Sequence, residues 1–149
     1  MSGIEVTPVS GEDLAAPLRL FEEALRDGEA LPDGFVELLR DAAVSGELEI
    51  LAASIEERTV GVAMISYRLN LSAAANFASV EELYVRSGAR RRGVGRALLG
   101  AVEERCADRG VSYVEVQTDD EAAAFYEAAG YEDETDVRVM ARSLPIGRD

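Results

Sequence analysis

The chain has 149 residues, 48% of them hydrophobic, which gives room for one domain with a real core and excludes a disordered chain. No run approaches the ~20 apolar residues of a membrane span, and no basic stretch followed by an apolar run opens the sequence. The formal net charge of −14 weighs against nonspecific nucleic-acid binding, whose affinity comes largely from neutralising phosphates.

Ile4 to Val9 reads as a short strand. Ser10-Gly11-Glu12-Asp13 has the residues of a helix start, and Leu14, Leu18, Phe21 and Leu25 follow at helical spacing. Pro17 means that this helix either kinks there or begins there. After Arg26-Asp27-Gly28 a second helix is expected from near Pro32, burying Phe35, Leu39 and Ala43 and stopping at Gly46. Leu48–Ile55 and Thr59–Leu69 read as a hairpin around Glu56-Glu57-Arg58, Asn70–Phe77 as a loop, and Val80–Val85 as a strand.

Val94, Ala97, Leu98, Ala101 and Val102 mark one face of a helix that ends at Gly110. Cys106 extends that stripe and reads as a small buried hydrophobe. As the single cysteine it excludes an intramolecular disulfide, which makes the cytoplasm the expected compartment. Val111–Gln117 is a β-branched strand, Asp119 or Asp120 caps a helix reaching Ala129 that Gly130 terminates, and Val137–Ala141 closes the chain as a last strand. No repeat or linker interrupts this order, so residues 1–149 read as one mixed α/β domain, β-α-α-β-β-β-α-β-α-β.

Two absences narrow the chemistry. There is no histidine, which excludes a Ser-His-Asp or Cys-His site and any His-ligated zinc, and no metal is expected. All fifteen basic residues are arginine, so a Schiff-base lysine and the lysine of a Walker phosphate loop are missing too. Proton transfers then fall to Asp, Glu, Tyr or the lone Cys. Such an acidic, lysine-free composition fits either a salt-adapted protein or a GC-rich genome.

The most informative segment runs from Val85 to Leu99. A strand feeds a turn containing Gly93 and Gly95 that opens directly into an amphipathic helix. Glycines there let a ligand approach the backbone, and the unpaired N–H groups of the first helical turn, at the positive end of the helix dipole, face an anion. Leu83 to Val102 contains no Asp or Glu but holds Arg86, Arg90, Arg91, Arg92 and Arg96. A strongly acidic protein thus keeps one basic patch, built of guanidinium groups that bind phosphate bidentately. Gly93-Val94-Gly95-Arg96-Ala97-Leu98 lacks the third glycine of a dinucleotide fingerprint.

Arg90-x-x-Gly93-x-Gly95 after Glu81-Glu82-Leu83-Tyr84-Val85, together with Tyr113–Gln117 and Ala124-Phe125-Tyr126-Glu127-Ala128-Ala129-Gly130-Tyr131, resembles the two motifs of the GNAT superfamily of acetyl-CoA-dependent N-acetyltransferases. The resemblance covers nearly the whole chain, the first third in element order alone. It implies a single GNAT-like domain with a mostly antiparallel central sheet flanked by helices. It also implies transfer of the acetyl group of acetyl-CoA to a primary amine of a small molecule or peptide by direct attack. A non-catalytic acetyl-CoA sensor or regulatory module is the alternative of a different class. By the same resemblance Arg90, Arg91, Arg92, Gly93, Val94, Gly95 and Arg96 hold the pyrophosphate, and Leu83, Tyr84 and Val85 flank the thioester, with a backbone N–H at Val85 or a neighbour serving its carbonyl oxygen.

The base and the acid follow from that resemblance and from strand alternation. Alternation puts Ser79, Glu81, Leu83 and Val85 on one face and Val80, Glu82 and Tyr84 on the other. Family members carry a glutamate base six or four residues before the valine matching Val85; these positions are Ser79 and Glu81. Glu81 is therefore the expected base, acting through water, with Glu82 taking the role if a bulge flips the strand. Tyr126 matches the family's tyrosine acid near the sulfur. Where relatives often place an asparagine against the pantetheine arm this chain has Asp119, which either contacts a cofactor amide or only caps its helix. Asp27, Glu29 and Asp33, with Glu132, Asp133, Glu134 and Asp136, would give an acidic acceptor mouth suited to a cationic amine. The family fold also makes a homodimer through the final strands an ordinary arrangement.

Overall fold

A computed structural model describes residues 3–146 of the chain. They fall into two compact units, one up to Gln117 and one from Thr118.

The first unit is a five-stranded sheet in the order of the chain. Strand β1 (Ile4–Pro8) leads through a 3-10 turn at Gly11–Asp13 into helix α1 (Ala15–Arg26). Helix α1 starts at Ala15, two residues before Pro17, which lies in the first turn, where its missing N–H has no acceptor to lose. Leu14, Leu18 and Phe21 are buried as the spacing predicts, but Leu25, in the last turn of α1, is 56% exposed. Helix α2 (Asp33–Ser45) starts at Pro32 and stops at Gly46, whose φ of 85° is the left-handed turn that favours glycine. It buries no residue completely, and Phe35, expected inside, is 47% exposed; only Val36 and Leu39 of its face reach the core.

Strands β2 (Leu48–Ile55) and β3 (Arg58–Asn70) form the expected hairpin, turning on Glu56 and Glu57 alone, both at positive φ. The loop expected over residues 70–77 is shorter. The Asn70 side chain accepts hydrogen bonds from the N–H groups of Ser72 and Ala73, which turns the chain quickly enough for β4 (Ala75–Val85) to begin five residues before the predicted strand. Helix α3 (Val94–Asp108) crosses over to β5 (Val114–Val116), the one parallel neighbour in an otherwise antiparallel sheet. Strand β5 is shorter than predicted because Val111 donates to Cys106 O at 2.8 Å and so belongs to the end of α3.

Each face of the sheet is covered. Leu14, Leu18, Leu20 and Phe21 of the α1 segment pack with Ile50, Val62, Met64 and Tyr84 on one face. On the other, α3 buries Val94, Leu98, Leu99, Val102 and Cys106. A Cβ on Gly61 would lie 2.9 Å from Val94 Cγ1 and 3.0 Å from Leu98 Cδ1, so glycine there lets the first turn of α3 rest on β3. The Cys106 thiol is buried as expected, and burial pushes its pKa up.

The second unit contains α4 (Asp120–Ala128), capped by Asp119, whose carboxylate accepts from Ala122 N at 2.9 Å. Gly130 follows at φ 97°. The strand expected at Val137–Ala141 does not form. Its alternation marks one apolar edge but supplies no ladder partner, and Val137, Val139 and Met140 stay exposed. Among the described residues no helix is long and apolar enough to cross a membrane, and no group of three or more His, Cys, Asp or Glu is placed to hold a metal ion.

Candidate active site

The junction between β4 and α3 is built locally. Arg91 (φ 65°) and Gly93 (φ 86°) both take the left-handed conformation and swing the chain from a 3-10 turn at Ser87–Ala89 into the helix. Gly93 is the N-cap and offers no side chain to the helix head. A Cβ placed on it would meet nothing within 4 Å, so the space before the first turn is open. The first intrahelical bond at this end runs from Ala97 N to Gly93 O at 3.0 Å; the N–H groups of Val94, Gly95 and Arg96 precede it and have no acceptor in the helix. The first turn has no acidic residue, and Arg90, Arg91, Arg92 and Arg96 are exposed around it. An open cradle of amides ringed by guanidinium groups fits a diphosphate.

The basic patch is not uniform. Arg86 turns away from it and binds Glu23 of α1 through two nitrogens at 2.8 and 3.3 Å. That hydrogen-bonded guanidinium holds the Glu23 carboxyl below its ordinary pKa. Arg90 braces the loop, donating from Nε to Val85 O at 2.8 Å with its guanidinium carbon 5.7 Å from the Tyr84 ring centroid.

Strand β4 departs from simple alternation. In its ladder with β3, Ile65 pairs with Val80 and Met64 with Glu82, leaving Glu81 as the extra residue of a β-bulge. The faces therefore differ from the alternation read in the sequence. Ser79, Glu82 and Tyr84 share the face of Ser66, Met64 and Val62, whereas Val80, Leu83 and Val85 lie with Ile65, Ala63 and Gly61 toward α3. Glu81 bonds Ser66 Oγ and lies 3.9 Å from Arg68, both on the first of these faces, so the bulge brings the two carboxylates to one side of the sheet. Burial, and then the neighbouring Glu81 carboxylate, push the Glu82 pKa above the ordinary carboxylate value.

The bulge also coincides with a fork. Strand β5 pairs with β4 only at Ala78, Ser79 and Val80. From Glu81 to Val85 the edge of β4 away from β3 carries no strand among the described residues, and its backbone polar groups face outward. The open end of β4 at residues 81–85 thus leads, through the 3-10 turn at Ser87–Ala89 and Gly93, into the head of α3.

Asp119 and Tyr126 belong to the second unit. Asp119 is the N-cap of α4. Tyr126 is 8% exposed, with edge-on rings of Phe125 and Tyr131 at 5.0 and 5.7 Å. Sequence reading missed Ser66 and Arg68, which engage Glu81, Glu115, which pairs with Arg68, and Glu23, which binds Arg86. The available signal was Ser66 and Arg68, polar positions continuing the face that Val62 and Met64 begin.

The model of the acetyltransferase (GNAT) family matches residues 16–131. No curated protein matches the chain. Among solved structures, an aminoglycoside acetyltransferase from an uncultured soil metagenomic sample, in complex with sisomicin, superposes with a TM-score of 0.83 at 22% identity, covering 96% of this chain and 97% of that one. The aminoglycoside antibiotic 6′-N-acetyltransferase AAC(6′)-Ih from Acinetobacter baumannii gives 0.78 at 20% identity over 97% of this chain and 100% of its own. An acetyltransferase of Trypanosoma brucei gives 0.79 at 20% over 95% and 99%. At such identities these likenesses establish a shared fold. The family model spans most of the sequence, including the amide cradle and the bulged strand, and the chain therefore belongs to the acetyltransferase (GNAT) family, as an enzyme of the N-acetyltransferase kind.

Proposed function

We propose that the protein transfers the acetyl group of acetyl-CoA to a primary amine of a cationic small molecule, an aminoglycoside or polyamine, by direct attack. The amide cradle at Gly93–Arg96 carries this reading: its unpaired N–H groups, acid-free first turn and four exposed arginines suit the coenzyme's diphosphate. Acetyl-CoA supplies an activated acyl group on a thiol leaving group. The open edge of β4 at Leu83–Val85 offers backbone N–H groups to the acyl oxygen. Glu82 takes the proton of the amine, since Glu81 is engaged by Ser66 and Arg68 and a raised pKa makes the better base. Tyr126 protonates the departing thiolate, a role carried over from the family motif. The acceptor class rests on the acidic residues Asp27, Glu29 and Asp33 beside α1 and α2, which favour approach of cations, and agrees with the sisomicin bound by one structural neighbour.

Calorimetric titration with acetyl-CoA tests the cradle. The wild-type chain should bind, and Gly95→Asp, folded by circular dichroism, should not, because it sets a carboxylate against the phosphates. Equal uptake by the two proteins would refute the cradle. Thiol release with sisomicin, spermidine and an amino-terminal peptide then tests the acceptor: fastest turnover of the peptide, or of neutral amines, would overturn the polycationic class. Binding without turnover of any amine would indicate the sensor instead.

A further inference from the structure

Glu81 is held by more than the bulge. Ser66 Oγ donates to its carboxylate, and the Arg68 guanidinium lies 3.9 Å from the same oxygen. That guanidinium also lies 3.8 Å from Glu115 on β5 and has its carbon 5.3 Å from the Phe77 ring centroid. Arg68 stands on β3 and Glu115 on β5, so their contact spans the width of β4. Next to the β4 partner of Arg68, Phe77, on the same face stands Ser79, which pairs with Ser66 on one side and Glu115 on the other and is 4% exposed. A small side chain at this position leaves room for the crossing. The contact thus straps β4 to β5 where the two strands part.

We propose that Arg68 is a positioning residue of the acetyl transfer: by bridging Glu81 to Glu115 over Ser79, it fixes the bulge and holds Glu82 as the carboxylate left for proton abstraction. This rests on the reading of Glu82 as the base. Arg68 is 50% exposed along its side chain and Glu81 38%, and an ion pair so open to water contributes little to folding. Its effect is local, a positive charge set against one member of a carboxylate pair. The charged groups of this face on α1 include Arg19, whose charge acts on Glu23. On α1, Glu22 accepts from the Leu31 amide and Glu23 is paired with Arg86. On β2, the residue opposite Met64 is Ile50. Glu81 is the charged neighbour that acts on Glu82.

The test is the pH profile of kcat/KM, measured with whichever of sisomicin, spermidine and an amino-terminal peptide turns over fastest. Arg68→Met removes the compensating charge, so the acid limb should move up by about half a unit. Glu81→Gln removes the repelling charge, so the limb should move down. Arg68→Lys should return it toward wild type. Arg68→Met should also lower kcat about tenfold through misplacement of the base, with KM for acetyl-CoA and the melting temperature unchanged. Limbs that stay put, or that move the same way in both variants, would overturn the strap. If Arg68→Met does not fold, Glu115→Gln decides: a lower kcat at an unchanged melting temperature supports the proposal, and an unchanged kcat refutes it. Glu82→Gln at wild-type turnover would instead remove the underlying reading of the base.

Discussion

The amide cradle and the carboxylate pair lie on one continuous stretch of chain, yet their geometries have different origins. The cradle is local: two left-handed residues, the second of them the glycine cap, and the first turn of α3 form it from neighbouring residues. The pair is not. Glu81 and Glu82 share a face only because the ladder to β3 slips by one residue at Met64–Ile65, and Glu81 is then held by side chains from β3 and, through Arg68, β5. Anion binding can be built from backbone polarity within a few residues. A tuned carboxylate requires burial and neighbours brought from elsewhere in the fold.

Substitutions can separate the two regions, and the largest effect belongs to the base. Glu82→Gln should lower kcat by roughly 10²–10⁴-fold while acetyl-CoA binding by calorimetry stays intact; loss of both together would mean that pair and cradle are one cooperative unit. Tyr126→Phe should lower kcat about tenfold with little change in acetyl-CoA affinity. A variant at full rate would take the phenol out of the chemistry.

Smaller effects test how far the cradle is self-sufficient. Gly61 pairs with Val85 and lies beneath Val94 and Leu98, so Gly61→Ala should push the head of α3 off β3. A cost of about 1–3 kcal/mol is expected from overpacking, seen as a lower melting temperature with weakened acetyl-CoA binding. Unchanged binding would show that the cradle keeps its geometry without that support. The far end of α3 is tied down by Glu49, which bonds Arg105 and, at 2.7 Å, the Tyr67 hydroxyl. Burial raises its pKa, but the Arg105 and Tyr67 hydrogen bonds and the nearby arginines outweigh that and leave it below the ordinary value. Because the folded pKa is depressed, this stabilisation is complete above the unfolded carboxylate pKa and is lost as pH falls through the folded one. Acid unfolding of Glu49→Gln should therefore show a shallower loss of stability below about pH 4 than the wild type; parallel curves would exclude Glu49 as a source of acid sensitivity.

Sequence reading succeeded where structure follows from neighbours along the chain. Gly46 and Gly130 ended their helices, Asp119 capped α4, Cys106 went inside, and the strand, glycine turn and helix around Gly93 formed as spaced. It failed where a distant partner decided. Phe35 and Leu25 have the right period but no core beside them, and Val137–Ala141 has a strand's alternation without a ladder. Alternation also put Glu81 and Glu82 on opposite faces, because a bulge is a mismatch between two strands and leaves no mark in either one.

The amino-acid sequence by itself determined the chemistry available to this protein. With no histidine or lysine and one basic, acid-free run, proton transfer falls to carboxylates and tyrosine, and anion binding to a helix head. Only the tertiary structure decided which carboxylate is half-buried and raised, which arginine faces outward, and which is spent on Glu23 or Glu115. Residue types and short-range conformation are properties of the chain, whereas desolvation and charge pairing depend on what folding brings within a few ångströms.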